Sequence, residues 1–537
     1  LDIKINGLII DTMIASSLID ENRFSYTLNT ISWAYLNKGK NETKLIEAAK
    51  ERGLDPKAEM WKLPAEHVGY YAEQDAVLTL KLWQRFKQEI QTQSLTTIWE
   101  LESNLIPVLI KMRQRGIRVQ VEKAAILQKE MLNQEKEILL AIKKESGIEV
   151  DIWASRQIAR AFDKMKLDYP RTEKTKEPSF TQNWLSNNKN KIAQLIVQAR
   201  EVNKFHGTFL SSIMKYQVNG RIHGEIQQLR SDSGGTVSGR LSMSNPNLQQ
   251  VPARNKDFGP KIRSLFIPEE GHKWGSFDYS QQEPRIVVHY AIKLGLGGTE
   301  SLKEEFDRDD ADFHQIVADM ANISRKQAKT INLGLFYGMG KIKLQRELGL
   351  DQRQAKELFN EYHGRVPFVR QLSQELIAFA KQNKLLFTLH DRFCRFDRWE
   401  TTNKEWNPET NRFNEVPLYT KEQAMEAFKA EMLDKYKENK IDSNYMDYFE
   451  RYYTPAFTYK ALNRLIQGSA ADMTKKAMVD LHEKGIIPHI QIHDELCISI
   501  NSEYTANIIQ NVMEQAIPLE VKNKVDFESG PNWGTIK

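Results

Sequence analysis

The chain has 537 residues, 40% of them hydrophobic and 27% charged, with a net charge of +5 and only two cysteines. Such a length exceeds one core and calls for roughly three or four domains or subdomains. Cys394 and Cys497 cannot make a disulfide framework and indicate a reducing compartment, while the mild basicity permits a polyanionic partner without requiring one. No apolar run reaches membrane-spanning length, and the first residues carry no signal-peptide pattern.

Leu1-Asp2-Ile3-Lys4 reads as the middle of a domain, so the chain is expected to be a piece of something longer. Residues 1–93 mix a strand-like run, Leu8-Ile9-Ile10, with helical periodicity that closes on a helix at about 69–88. From Trp99 to about Ser212 the pattern is long, charged and helical, with helices expected over 122–144 and 191–214 around a polar tip near 170–178. Residues 216–275 turn irregular and rich in Gly, Ser, Asn and Pro. Within them, Arg240, Asn247 and Gln249 sit on a polar loop suited to tracking a nucleic-acid backbone or reaching base edges. Taken alone, that loop is more often ordinary structure.

Trp274-Gly275-Ser276-Phe277-Asp278-Tyr279 is a short strand that ends on an acid. Helices return over 294–380. There Arg325, Lys329, Leu333 and Tyr337 are steps of four and share one face, which offers a triphosphate clamp followed by a flat platform for a base. His314 adds a further phosphate contact upstream. An isolated Arg-x-x-x-Lys is usually a solvated helix edge; the two glycines flanking Tyr337 weigh against that. A second charged helix is expected at 421–440, after a loop at 399–419. Asn463 and Gln467 share a helical face. Near the end, Ile490/Ile492 and Ile498/Ile500 alternate around His493-Asp494-Glu495, a β-hairpin with carboxylates at its bend. Two strand-borne aspartates, Asp278 and Asp494, suit two Mg2+ ions for phosphoryl transfer. Helical lobes thus interrupt a small β element drawn from distant sequence, an α+β chain.

The ordered set Gly239-Arg240, Asn247-Leu248-Gln249, Asp278-Tyr279-Ser280-Gln281-x-Glu283-x-Arg285, Arg325-x-x-x-Lys329 with Tyr337-Gly338, Gln467-Gly468-x-Ala470-Ala471-Asp472 and His493-Asp494-Glu495 resembles the family A DNA polymerases. That resemblance implies a right-hand fold of palm, fingers and thumb. A truncated 3′–5′ exonuclease-like (RNase H-like) α/β domain would precede it, with Tyr71 and Asp75 as the remnant of its third motif. The implied division is 1–93 exonuclease-like, 94–214 thumb, 215–293 palm, 294–455 fingers with an insertion at about 399–455, and 456–537 palm again.

By the same likeness, Asp278, Asp494 and the Tyr279 carbonyl hold two Mg2+ ions, with Mn2+ able to substitute, and Glu495 tunes the site. Arg325, Lys329 and His314 grip the triphosphate, and Lys329 also donates a proton to the leaving group. Glu283 is the steric gate against ribonucleotides; Gln281, Leu333 and Tyr337 complete the nucleotide pocket. Arg240, Asn247, Asn463, Gln467 and His493 face DNA, supported by Gln249 and Arg285, the last balanced evenly against a buried ion pair. Leu333 stands where most members carry Phe or Tyr, and Tyr459 where bacterial enzymes have Arg.

The expected activity is DNA-templated addition of deoxynucleotides to a primer, without proofreading. Primer–template DNA and dNTPs are the partners of a monomer, with no membrane association. The setting is cytoplasmic, that of a bacterial host for a phage enzyme, with an organelle as the other option. A 3′–5′ nuclease, a single-subunit RNA polymerase and a non-catalytic scaffold are the competing readings.

Overall fold

The computed structural model describes residues 7, 9–172, 175–232, 234–252, 255, 257–299, 302–308, 311–336, 345, 348–407, 412–435 and 445–536. Its centre is a four-stranded antiparallel sheet of β1 (Lys273–Tyr279), β2 (Ile490–Ile492), β3 (Glu495–Ile500) and β4 (Val525–Gly530), in the order β2-β3-β1-β4. Alternation along β1 divides its side chains between two cores. Phe277 and Tyr279, with Leu496, Ile498 and Val525, face the larger core. Trp274 and Cys497 face a second one, where Trp274 stacks between His489 and Trp533. On that second face, burial ends along the strand: Trp274 and Ser276 are buried and Asp278 is exposed.

The larger core is completed by helices α1 (Thr96–Arg115), α2 (Gln282–Lys293), α3 (Phe313–Ala321), α4 (Arg325–Phe336) and α5 (Ala461–Glu483). α5 packs on α1, on α2 and on the Glu503–Gln515 helix that covers the sheet. Beneath α5 lies a wholly buried ionic cluster. Glu102 of α1 accepts from Lys475 Nζ (2.7 Å), from Gln228 Nε2 (2.5 Å) and from Arg392; Arg392 Nη2 also donates to Asp472 (2.7 Å). Two anions and two cations balance, which is the condition for burying charge at all.

Between Asp11 and Gln93 the described residues form helices Thr12–Ile19, Leu28–Leu36, Thr43–Glu51 and Ala65–Thr92, and no strand. The expected strand at 8–10 is not formed: Ile9 and Ile10 are irregular, and Leu8 lies outside the described residues. An apolar triplet without a partner strand has nowhere to place its backbone hydrogen bonds. The helices instead share the large core through Ile14, Leu18, Leu82 and Phe86.

The expected helix at 122–144 is Val121–Ser146. That at 191–214 is Lys191–Lys204 followed by a π-helical turn, Phe205–Leu210, and then Ser211–Tyr216. The 399–455 segment closes on itself, since Trp399–Thr401 pairs with Tyr453–Pro455 over a private core of Trp399, Ala424, Phe428, Phe449 and Tyr453. Its expected helix at 421–440 is described as Lys421–Lys435; residues 436–444 lie outside the described ones. Among the described residues no helix is long and apolar enough to cross a membrane.

Candidate active site

Antiparallel pairing sets Asp278 of β1 directly between Glu495 of β3 and Asp526 of β4, so three carboxylates line one row on one face. The β2–β3 turn brings in a fourth, Asp494, whose carbonyl accepts from Tyr279 N at 3.3 Å. His493, at the turn's first position, has φ +58°, a left-handed conformation costly for a residue with a Cβ and common where a functional side chain must be aimed.

Although the Asp278 side chain has an exposed edge, the protein packed around it desolvates the carboxyl and raises it well above the usual carboxylate range, and Asp494, Glu495 and Asp526 raise it further. Asp494 is also raised by burial, with Glu283 and Glu495 adding and Arg240 opposing. Glu495 is drawn aside, accepting from Ser276 Oγ (2.5 Å) and Cys497 Sγ (3.2 Å). Among the described residues no three His, Cys, Asp or Glu are arranged as a metal-binding cluster. Asp278 and Asp494 are hard oxygen donors that would leave other positions to substrate oxygens and water. That donor set fits Mg2+, which keeps several waters, and the mutual repulsion of the acids is what a divalent cation relieves.

The basic side is built by α3 and α4. Arg325 and Lys329 are exposed on one face of α4. Arg325 Nε and Nη2 both reach Asp312 Oδ2 (2.7 and 2.6 Å), while Asp312 Oδ1 caps α3 by accepting from His314 N and Gln315 N. Lys329 has no ion-pair partner among the described residues. Burial lowers His314 to about 4, with Lys329 and Arg325 contributing and Asp312 opposing. Its Nδ1 accepts from Asn332 Nδ2 at 3.1 Å, because an amide nitrogen only donates; Asn332 in turn accepts from the buried Tyr362 hydroxyl. The ring is thereby neutral, with its proton on Nε2. Leu333 lies in α4, but its side chain and all of Tyr337 fall outside the described residues.

Gln281 links the two sides. Its Oε1 accepts from Phe313 N (2.7 Å) and its Nε2 donates to Ala311 O (3.0 Å), which ties its amide to the entry to α3 and leaves one further N–H and one lone pair. Glu283, in the first turn of α2, is ion-paired with Arg240. Arg285 departs from both of its expected roles. It is 2% exposed, it donates to the carbonyls of Ser280, Phe306 and Lys522, and it lies over the Phe306 ring. It is buried and makes no ion pair among the described residues; three carbonyls and a ring face hold the guanidinium through Nε and Nη1, while Nη2 has no hydrogen-bond partner there.

Gln249 supports the hairpin: its Nε2 donates to Gln491 O (3.1 Å), and Gln491 Nε2 donates to His493 O (2.5 Å). Asn247 Oδ1 caps the following 3-10 turn. Asn463 and Gln467 lie one turn apart on α5, half-buried, with no side-chain hydrogen bond among the described residues. In the N-terminal lobe, Lys40 Nζ binds Asp75 (2.8 Å) and the Tyr71 hydroxyl (3.1 Å), so an ammonium occupies the place where a cation would neutralise Asp75.

Sequence reasoning passed over Asp312, Asp526, Ser276, Lys40 and the buried cluster. Asp312, two residues before His314, and Asp526, in an alternating tail, carried the only readable signals.

The family model for DNA polymerase family A matches residues 121–413 and 410–535. The DNA-directed DNA polymerase of Pseudomonas phage M6 is 34% identical over 98% of this chain and 79% of its own length. DNA polymerase I of Caldicellulosiruptor bescii is 29% identical over 98% of this chain and 55% of its own, so the chain spans about half of that enzyme. The POL domain of Pol1 from M. smegmatis, in complex with DNA primer-template and dNTP, shares the fold at a TM-score of 0.73. It is 22% identical and is matched over 98% of this chain and 82% of that one.

Proposed function

The chain belongs to DNA polymerase family A and is a DNA-directed DNA polymerase, and from that premise we propose that Asp278, Asp494 and the Tyr279 carbonyl hold two divalent cations at the point of nucleotide addition. The ions are Mg2+, with Mn2+ as a substitute; when bound they acidify the primer 3′-hydroxyl and neutralise the departing pyrophosphate. The observation that carries this reading is the row Glu495–Asp278–Asp526 beside Asp494, in which desolvation and neighbouring acids raise Asp278 and Asp494.

Each chain residue has a task in that scheme. Glu495, tethered to Ser276 and Cys497, shapes the field rather than ligating. Arg325 and Lys329 bind the β- and γ-phosphates as fork and point charges, respectively. Lys329 supplies the leaving-group proton, and neutral His314 donates from Nε2. Glu283 lies beside the sugar and excludes a 2′-hydroxyl. Arg240, Asn463, Gln467 and His493 meet the minor groove of the primer terminus, α4 closes over the nascent pair, and Leu333 and Tyr337 complete the nucleotide pocket.

Residues 94–214 serve as thumb, 215–293 and 456–537 as palm and 294–455 as fingers. The N-terminal lobe is exonuclease-like, with Lys40 bound to Asp75 and to Tyr71. The phage relatives support a role in phage DNA replication within a bacterial host.

The test follows an end-labelled primer on a longer DNA template with Mg2+ and four dNTPs. Extension to the template end, lost in Asp494→Ala and absent with four rNTPs, is expected. Tight primer–template binding without extension would point to a scaffold, and shortening of the primer to a nuclease.

A further inference from the structure

Two residues assigned above to the minor groove, Arg240 and Gln467, come from segments more than two hundred positions apart, yet each follows or precedes a glycine that rests on one and the same turn. Strands Leu385–Phe387 and Phe393–Arg395 pair as a hairpin, and residues 388–392 form its bend. Thr388 N donates to Arg392 O (3.0 Å) and Arg392 N to Thr388 Oγ1 (3.0 Å).

The bend is bolted to α5. Thr388 Oγ1 donates to Asp472 Oδ2 (2.5 Å), Arg392 Nε to Asp472 Oδ1 (2.9 Å) and Leu389 N to Ser469 Oγ (3.2 Å). Asp472 is 0% exposed and Arg392 4%. Gly239 has φ +82°, and a Cβ there would stand 2.7 Å from Arg392 Cζ. A Cβ on Gly468 would stand 2.7 Å from Thr388 Cγ2 and 3.5 Å from Ser238 O. Both glycines therefore let the backbone settle onto the bend at a distance no side chain allows. Arg240 is one residue beyond the first contact, and Gln467 one residue before the second.

We propose that the 388–392 bend is a positioning element that fixes Arg240 and Gln467 at one spacing, so that both address acceptors of the primer-terminal base pair in the minor groove. Thr388, Arg392, Gly239 and Gly468 are its positioning residues. The proposal rests on the reading that Arg240 and Gln467 face that groove. Gly468 lies inside a helix, where Ala is intrinsically the better residue. Any harm from Gly468→Ala thus comes through the contact with Thr388, and Thr388→Ser removes the offending methyl while keeping the hydroxyl on Asp472.

The experiment is single-turnover dNTP addition to a primer ending in guanine or in 3-deazaguanine, which lacks the minor-groove N3 acceptor. The wild type, Gly468→Ala, Gly468→Ala/Thr388→Ser, Thr388→Ala and Gln467→Ala are compared, with thermal melting of each. The wild type should slow by on the order of tenfold on the analogue, the size of one well-placed hydrogen bond. Gly468→Ala and Thr388→Ala should add to natural primer more slowly and show less than about twofold sensitivity to the analogue, like Gln467→Ala. The double variant should regain the wild-type sensitivity. If Gly468→Ala does not fold, Thr388→Ala decides alone.

Full sensitivity retained in a folded Gly468→Ala or Thr388→Ala would overturn the positioning role while leaving the groove reading intact. A wild type indifferent to the analogue would overturn the groove reading and the proposal together.

Discussion

Glu102→Gln is nearly isosteric, yet it should be among the most destabilising changes available to this chain. Burial by itself would push the Glu102 carboxyl up, and Lys475 and Arg392 more than compensate, holding it below its ordinary value. All the side chains that contact this carboxylate do so as donors: Arg392 Nη2, Lys475 Nζ and Gln228 Nε2. An amide there turns one acceptor into a donor facing donors and leaves two cations against Asp472 alone. Breaking a buried pair in this way costs about 3–5 kcal/mol.

Lys475 sets the ceiling. Burial already lowers it to about 8, with Glu102 opposing, and it can escape by shedding its proton. From an ordinary value of 10.5, deprotonation costs the variant about 5 kcal/mol at pH 7, whereas by pH 9 the wild type has shed the same proton and both chains bear that cost. The penalty should therefore shrink as pH rises. Glu102→Gln/Lys475→Met, which restores neutrality, should recover most of the loss. Hydrogen exchange of α1 and α5 amides, read by mass spectrometry, gives the local opening free energy without requiring the whole chain to unfold in two states. A loss below about 1 kcal/mol, or one equal at pH 7 and pH 9, would refute the argument.

Asp278→Asn should abolish primer extension and yet raise the melting temperature in EDTA at pH 8. A carboxyl with a raised folded-state pKa penalises folding once ionised, so the gain should fade as pH drops toward the ordinary value of 3.8, and a gain that persists at pH 4 would contradict it. Asp312→Asn keeps the cap of α3 but loses the charge that orients Arg325, so the KM for dNTP should rise by roughly threefold to tenfold with kcat less affected; an unchanged KM would count against the linkage. With His314 lowered to about 4, dNTP KM should show no inflection near pH 6.5, and an inflection that vanishes in His314→Gln would show the ring titrating normally. Glu283→Ala should raise kcat/KM for rNTPs by at least about tenfold, measured by single-nucleotide addition, whereas unchanged exclusion would remove the gate.

The hairpin acids were legible because period-2 alternation around Asp494 and the acid-terminated run at Asp278 are local patterns. Register was not: nothing local says that Asp278 faces Asp526 or that Ser276 and Cys497 draw Glu495 aside. Arg285 was not legible for a physical reason: a long polar side chain looks like a ligand contact in sequence, and only the packed chain reveals that it is buried against the carbonyls of Ser280, Phe306 and Lys522. The helical lobes were legible to within a few residues, and the strand at 8–10 failed because a strand is defined by its neighbour.

The order β2-β3-β1-β4 also bears on how the molecule is made. β1 ends at Tyr279 and cannot find its flanking strands until residues 495–500 and 525–530 have left the ribosome. During that interval Phe277 and Trp274 sit on unpaired edges, the state in which nascent chains most readily associate with one another. Helical lobes with mainly local contacts can form meanwhile. The row Glu495–Asp278–Asp526 therefore cannot form before β3 and β4 emerge, and a product terminated before the β2–β3 turn would fold much of its bulk while Asp278 lacked Asp494.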